Sequence, residues 1–166
     1  GVMIQHDLKW GSQVDHMTKK SSKTIWRLRR MQQLGLDQQT ITTFWKMEGR
    51  VHLEASCPVW NGGITGQQSR ALCRVQRKAV AAITANQLEY QEGCAVLRLE
   101  PLPARRLKLS RIFARRTAEK SRHQDLFVRL EHPHATRRGT KLWREPASRT
   151  RRHQRSPLPY LTRLLN

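Results

Sequence analysis

Apolar and small residues recur at Val14, Met17, Ser21, Thr24, Ile25, Leu28 and Met31, one face of a helix. Ser12 with Asp15 forms a weak capping signal at its start, and Gly35 is placed to end it as a C′ glycine. A second helix is expected after Asp37, an N-cap type, with Ile41, Phe44, Trp45, Met47 and Val51 inward. The Glu48-Gly49 step interrupts its apolar pattern, at a cost of about 1 kcal/mol for the glycine. Pro58 ends it, and Asn61-Gly62-Gly63 reads as a turn. A third helix spans about Gln67 to Ala85, with Leu72, Val75, Ala79 and Ile83 inward. A short fourth falls around Tyr90 to Leu97. A fifth begins near Pro103 and runs to Lys120, with Leu109, Ile112 and Phe113 facing in. The pattern therefore predicts a mostly α protein, a small bundle of about four to five helices.

The two ends differ from this body. Residues 1–11 mix Val2, Met3 and Ile4 with polar positions and read as a strand end followed by a turn. After Phe127 no apolar face recurs, and Pro146, Pro157 and Pro159 block long helices. The expected organisation is residues 1–11 as a lead-in, 12–127 as a helical domain and 128–166 as a basic C-terminal arm, largely disordered over 131–156.

Charge changes the picture most. Lys and Arg number 32 against 12 Asp and Glu, a net charge of +20, while hydrophobic residues make up only 37%. Residues 1–100 hold 14 cations and 8 anions, and residues 101–166 hold 18 and 4, with the boundary near Pro101-Leu-Pro103. Such a balance favours a polyanion partner, nucleic acid first and an anionic membrane second. No run approaches the ~18 apolar residues that span a bilayer, and no secretory h-region follows the N-terminus. Gly1 in place of Met leads us to expect that the gene product extends upstream or was trimmed. The cations fall on the polar faces of the expected helices: Lys19, Lys20, Lys23 and Arg27 on the first, and Arg74, Arg77 and Lys78 on the third. Arg105, Arg106, Arg115 and Arg116 fall on the fifth, and Arg151 and Arg152 in the arm. These are the candidate nucleic-acid-binding residues.

Catalytic constellations are not visible in the chain. Asp7, Asp15, Asp37 and Asp125 are isolated, whereas phosphoryl transfer needs clustered carboxylates to hold Mg²⁺. Gly62, Gly63 and Gly66 lack the spacing and the lysine of a phosphate loop. Cys57, Cys73 and Cys94 include no C-x-x-C pair and read as thiols. His123-Gln124-Asp125 with His132 or His134 has the residue types of an Fe(II) site, but in a helical, proline-broken context it reads as a charged surface loop. His52 and Cys57 read as core residues. Trp10, Trp26, Trp45 and Trp60 read as core aromatics, which leaves Trp143 as the better candidate for base stacking. No cofactor or metal is called for.

Several short stretches nonetheless have a family likeness. Asp7-Leu8-Lys9-Trp10, Val14-Asp15-His16, Lys19-Lys20 and Leu28-Arg29-Arg30 are the first of them. Leu53-Glu54, Ser56 to Trp60 and Gln76-Arg77-Lys78-Ala79 follow in order, then Leu97, Leu99, Leu102, Arg105-Arg106, Leu109 and Phe113-Ala114. Together they resemble the stretch that follows the polymerase palm in non-LTR (LINE-like) retrotransposon reverse transcriptases. Ser156 to Asn166 looks like the C-terminal close of such polyproteins. The span from about Lys9 to Ala85 also resembles a domain named after the N-terminus of an AlkB-type tRNA-modifying dioxygenase, a likeness that carries no oxygenase chemistry here. The resemblance implies a thumb: a helical unit that grips the backbone of a template–primer duplex, RNA, DNA or their hybrid, beside the palm and fingers of the same polyprotein. It implies a non-catalytic piece of an RNA-directed DNA polymerase, in the nucleus or the cytoplasm. A free-standing basic RNA-binding protein of ribosomal type fits the composition equally well and stays open as the alternative.

Overall fold

The structure, a computed structural model, describes residues 1–120, 123, 125–136 and 139–166. It is mostly helical, as the periodicity predicts, and divides into two compact units. The first comprises Gly1–Ala55 and Ile64–Arg105; the second comprises Ser56–Gly63 and Arg106–Asn166.

In the first unit α1 (Gly11–Gln33) buries Val14, Met17, Ser21, Thr24, Ile25 and Leu28, the stripe read from the sequence. Its end is a Schellman motif. Gly35 N–H donates to the Gln32 carbonyl at 3.0 Å and Leu36 N–H to the Met31 carbonyl at 3.2 Å, with Gly35 at φ 77°. The start lies one residue before Ser12, and Trp10 at the N-cap offers no side-chain bond. Gly1 to Trp10 is irregular: the expected turn falls at His6 and Asp7, but the residues before it form no strand.

The second helix is a composite. Asp37 caps α2 (Gln38–Phe44), accepting from Thr40 N–H at 2.8 Å and from Thr40 Oγ1 at 2.6 Å. Both bonds favour the ionised carboxyl and hold the Asp37 pKa below its ordinary value. The chain then runs through a π-helical stretch, Trp45–Arg50, into α3 (Val51–Glu54). This wider turn advances the inward face. Ile41, Trp45, Gly49, Arg50 and Leu53 are buried, while Met47 and Val51, both expected inward, are exposed. A π turn also leaves carbonyls without their usual partners. Ser21 Oγ of α1 donates to the Gly49 carbonyl at 2.9 Å, and Thr24 Oγ1 to that of Glu48 at 3.4 Å.

Helix α5 (Gly66–Ile83) packs along α1 and buries Leu72, Val75, Ala79, Val80 and Ile83. A reciprocal capping box joins Thr65 and Gln68 at its start. Helix α6 (Tyr90–Val96) approaches α5 at Gly93, where an added Cβ would lie 2.5 Å from Val80 Cγ1. Arg50, Glu54 and Arg105 form a mostly buried ion network, with Arg105 Nε 3.3 Å from Glu54 Oε2.

Helix α7 (Leu102–Ala118) runs from the first unit into the second. Its buried stripe is Leu102, Arg106, Ser110, Ala114 and Ala118, spaced four apart. This corrects the expected register: Ile112 and Phe113, placed inward by apolarity, are 38% and 44% exposed. A charged residue, Arg106, and the small Ser110, Ala114 and Ala118 give the stripe little hydrophobic signal.

The second unit holds α4 (Cys57–Trp60), the antiparallel strands β1 (Arg129–Thr136) and β2 (Gly139–Trp143), α8 (Arg151–Gln154) and α9 (Pro157–Leu165). The segment read as a largely disordered arm therefore carries defined elements; its Arg137-Arg138 step lies outside the described residues. Sparse apolar residues anchor it. Ala114, Ala118, Phe127 and Leu161 form a small core joined by Trp143, Leu158, Tyr160 and Leu164. The rings of Phe127 and Trp143 meet edge-on at 6.5 Å.

Candidate nucleic-acid interface

An exposed basic face needs a helix whose opposite side is firmly buried. Helix α1 meets that condition: its apolar stripe fixes the rotation, so Lys19, Lys20, Lys23 and Arg27 all stand exposed. Arg29 and Arg30 extend the same polar surface. None of these six side chains is in an ion pair among the described residues. Helix α5 repeats the arrangement. Arg70, Arg74, Arg77 and Lys78 are exposed at spacings of four, three and one, opposite the buried Leu72–Ile83 stripe. Arg77 also lies over the Tyr90 ring, 5.3 Å from its centre. Such a contact orients the guanidinium while leaving its edge exposed.

Tyr90 is itself unusual. Burial first, then the neighbouring Cys94 and Cys73 thiols, push its hydroxyl up to about 12, against a hydrogen bond from Gln76 Nε2 at 3.2 Å. The phenol stays neutral beneath Arg77 across the physiological range.

The α7 candidates divide. Arg115 and Arg116 are exposed, and so are Lys108 and Arg111. Arg105 is partly covered and paired with Glu54, which leaves it less able to meet a phosphate. Arg106 is a correction. It is 1% exposed, its guanidinium lies over the Trp60 ring at 5.7 Å, and its Nε donates to Asn61 Oδ1 at 3.0 Å. Asn61 Nδ2 in turn donates to Tyr160 Oη at 2.8 Å. A buried, bonded arginine is part of the second unit's packing and cannot reach a polyanion. In the arm, Arg151 and Arg152 are exposed on α8, whose start is capped by Thr150.

The tryptophans also redistribute. Trp45 and Trp60 are fully buried, as expected. Trp143, the expected stacking candidate, instead packs against Phe127. Trp26, expected in the core, is 71% exposed. The sequence held the signal: position 26 falls between buried Ile25 and Leu28 but off the stripe they define. Among the described residues, no three His, Cys, Asp or Glu side chains gather to hold a metal ion, and no helix is long and apolar enough to cross a membrane. The chain matches no family model, no curated protein and no solved structure.

Proposed function

We propose that this chain binds the phosphate backbone of RNA, DNA or their hybrid through the exposed cations of α1 and α5, as a thumb-like, non-catalytic unit of an RNA-directed DNA polymerase. The observation that carries the proposal is the set Lys19, Lys20, Lys23 and Arg27: four exposed cations without ion-pair partners among the described residues, on a helix whose rotation its core fixes. Binding follows from counterion release. Each neutralised phosphate frees condensed cations and contributes about −0.9 to the log–log salt slope on duplex DNA. Arg74, Arg77 and Lys78, with Arg115, Arg116, Arg151 and Arg152, add further phosphate contacts. The likeness to retroelement thumbs supplies the partner, the palm and fingers of the same polyprotein, and assigns this chain the positioning of template and primer.

The test is the salt dependence of binding to a blunt duplex and to an RNA–DNA hybrid. Replacing Lys19, Lys20, Lys23 and Arg27 together by Ala should weaken binding at low salt and flatten the slope by about 2 to 4 units. An unchanged slope would remove α1 from the interface. Absence of binding by the unaltered chain would overturn the proposal altogether.

A further inference from the structure

Position 26 sets an aromatic ring among cations. On α1, Lys23 lies three residues before Trp26, Arg29 and Arg30 lie three and four after it, and Lys19 is two turns back. All five are exposed. Residues at these spacings share one side of a helix, and the rise of about 1.5 Å per residue carries Lys19 to Arg30 over about 16 Å. Tryptophan is the most costly side chain to leave wet, since the aromatic side chains bury about 150 to 250 Å² each when packed. Here 71% of it is in solvent, although a fully formed core lies on the other side of the same helix. Nothing in the fold of the first unit calls for an indole at that place.

We infer that Trp26 is a stacking platform for an unpaired base of the bound nucleic acid, with Lys19, Lys23, Arg29 and Arg30 holding the flanking phosphates. This rests on the proposed function and adds to it: beyond the backbone contacts of its cations, which duplex and single strand share, α1 grips an unpaired base, such as one of the template beside a duplex. Cations alone would not distinguish strand types, because phosphates are common to both. An exposed indole does, because a base can lie flat on it only when it has left its own stack. The surrounding positive charge selects a polyanion over a neutral protein surface.

The experiment compares the full chain with Trp26→Ala and Trp26→Phe on three probes: a single-stranded oligonucleotide, a blunt duplex of the same sequence, and an abasic strand of equal length. Trp26→Ala should weaken single-strand binding by about tenfold, the scale of one stacked base. Duplex affinity and the salt slope should stay unchanged, since no charge is removed. The abasic strand should bind the unaltered chain as weakly as the intact strand binds Trp26→Ala. Trp26→Phe should retain part of the affinity and lose most of the fluorescence quenching that single strands cause. Its fold should be unaltered, because the side chain is exposed. Equal losses on duplex and single strand, or no loss on either, would overturn the platform. So would a variant that impairs adhesion to anionic vesicles while leaving single-strand binding intact. If the unaltered chain binds duplex and Trp26→Ala changes nothing, the inference fails while the proposed function stands.

Discussion

Gly49 shows how one residue can be read correctly as a break and wrongly as a defect. An added Cβ would lie 2.1 Å from Cε3 and Cζ3 of Trp45, so the indole occupies the space that any side chain would need. The π stretch brings the two together, and Ser21 from α1 binds the carbonyl that the same turn exposes. Filling the apparent gap in the apolar pattern is therefore not stabilising. Gly49→Ala should lower stability by about 1 to 3 kcal/mol, the usual cost of forcing extra volume into a packed site. Chemical denaturation monitored by tryptophan fluorescence checks this. A variant as stable as the natural chain would show that the indole moves aside at no cost. Glu48, by contrast, is exposed, so its charge interrupts no core. The sequence marked the position; which neighbour needed the vacancy was a tertiary fact.

At the level of elements, α1 and α5 were legible because each carries a long, strong apolar stripe and a polar remainder. The face of α7 was not, because Arg106, Ser110 and Ala114 on its buried side lack the apolar bulk that periodicity detects. The C-terminal elements were hidden for a different reason. Besides its pairing with β1, the backbone of β2 is held by one side chain distant in sequence. Asn166 Oδ1 accepts from Leu142 N–H at 3.0 Å and Trp143 N–H at 2.9 Å, and its Nδ2 donates to the Trp143 carbonyl at 3.0 Å. A terminal asparagine thus supplies β2 with the bonds of a further strand. Asn166→Ala should speed hydrogen exchange at the Leu142 and Trp143 amides by about fivefold to tenfold, since each lost bond is worth about 1 kcal/mol. Exchange at those amides unchanged from the natural chain would mean that the hairpin needs no such clasp.

For the whole molecule, a net charge of +20 sets two opposite responses to salt. Self-repulsion disfavours the compact state, and screening relieves it: the Debye length falls from about 10 Å at 0.1 M to about 3 Å at 1 M. The free chain should melt higher as salt is added, by about 2 to 4 °C for each kcal/mol of repulsion removed. Nucleic-acid binding should weaken over the same range. Melting curves across a salt series, with and without a duplex, test both. A melting temperature that falls with salt would place the balance with attractive pairs such as Arg50–Glu54–Arg105 instead of repulsion.

The sequence by itself determined the helical class, the buried faces of α1 and α5, the Asp37 cap, the Gly35 stop and the excess of cations. These are local: they depend on periodicity, on capping chemistry and on composition, each contained within a few turns of chain. Only the tertiary structure decided which cations are free to act. Arg105 and Arg106 are adjacent and alike in sequence, yet one pairs with Glu54 and the other is sealed between Trp60 and Asn61. It likewise decided that Trp26 stands in solvent while Trp45 and Trp60 do not. Exposure is a property of what packs against a residue, and those partners lie tens of residues away, beyond the reach of any local pattern.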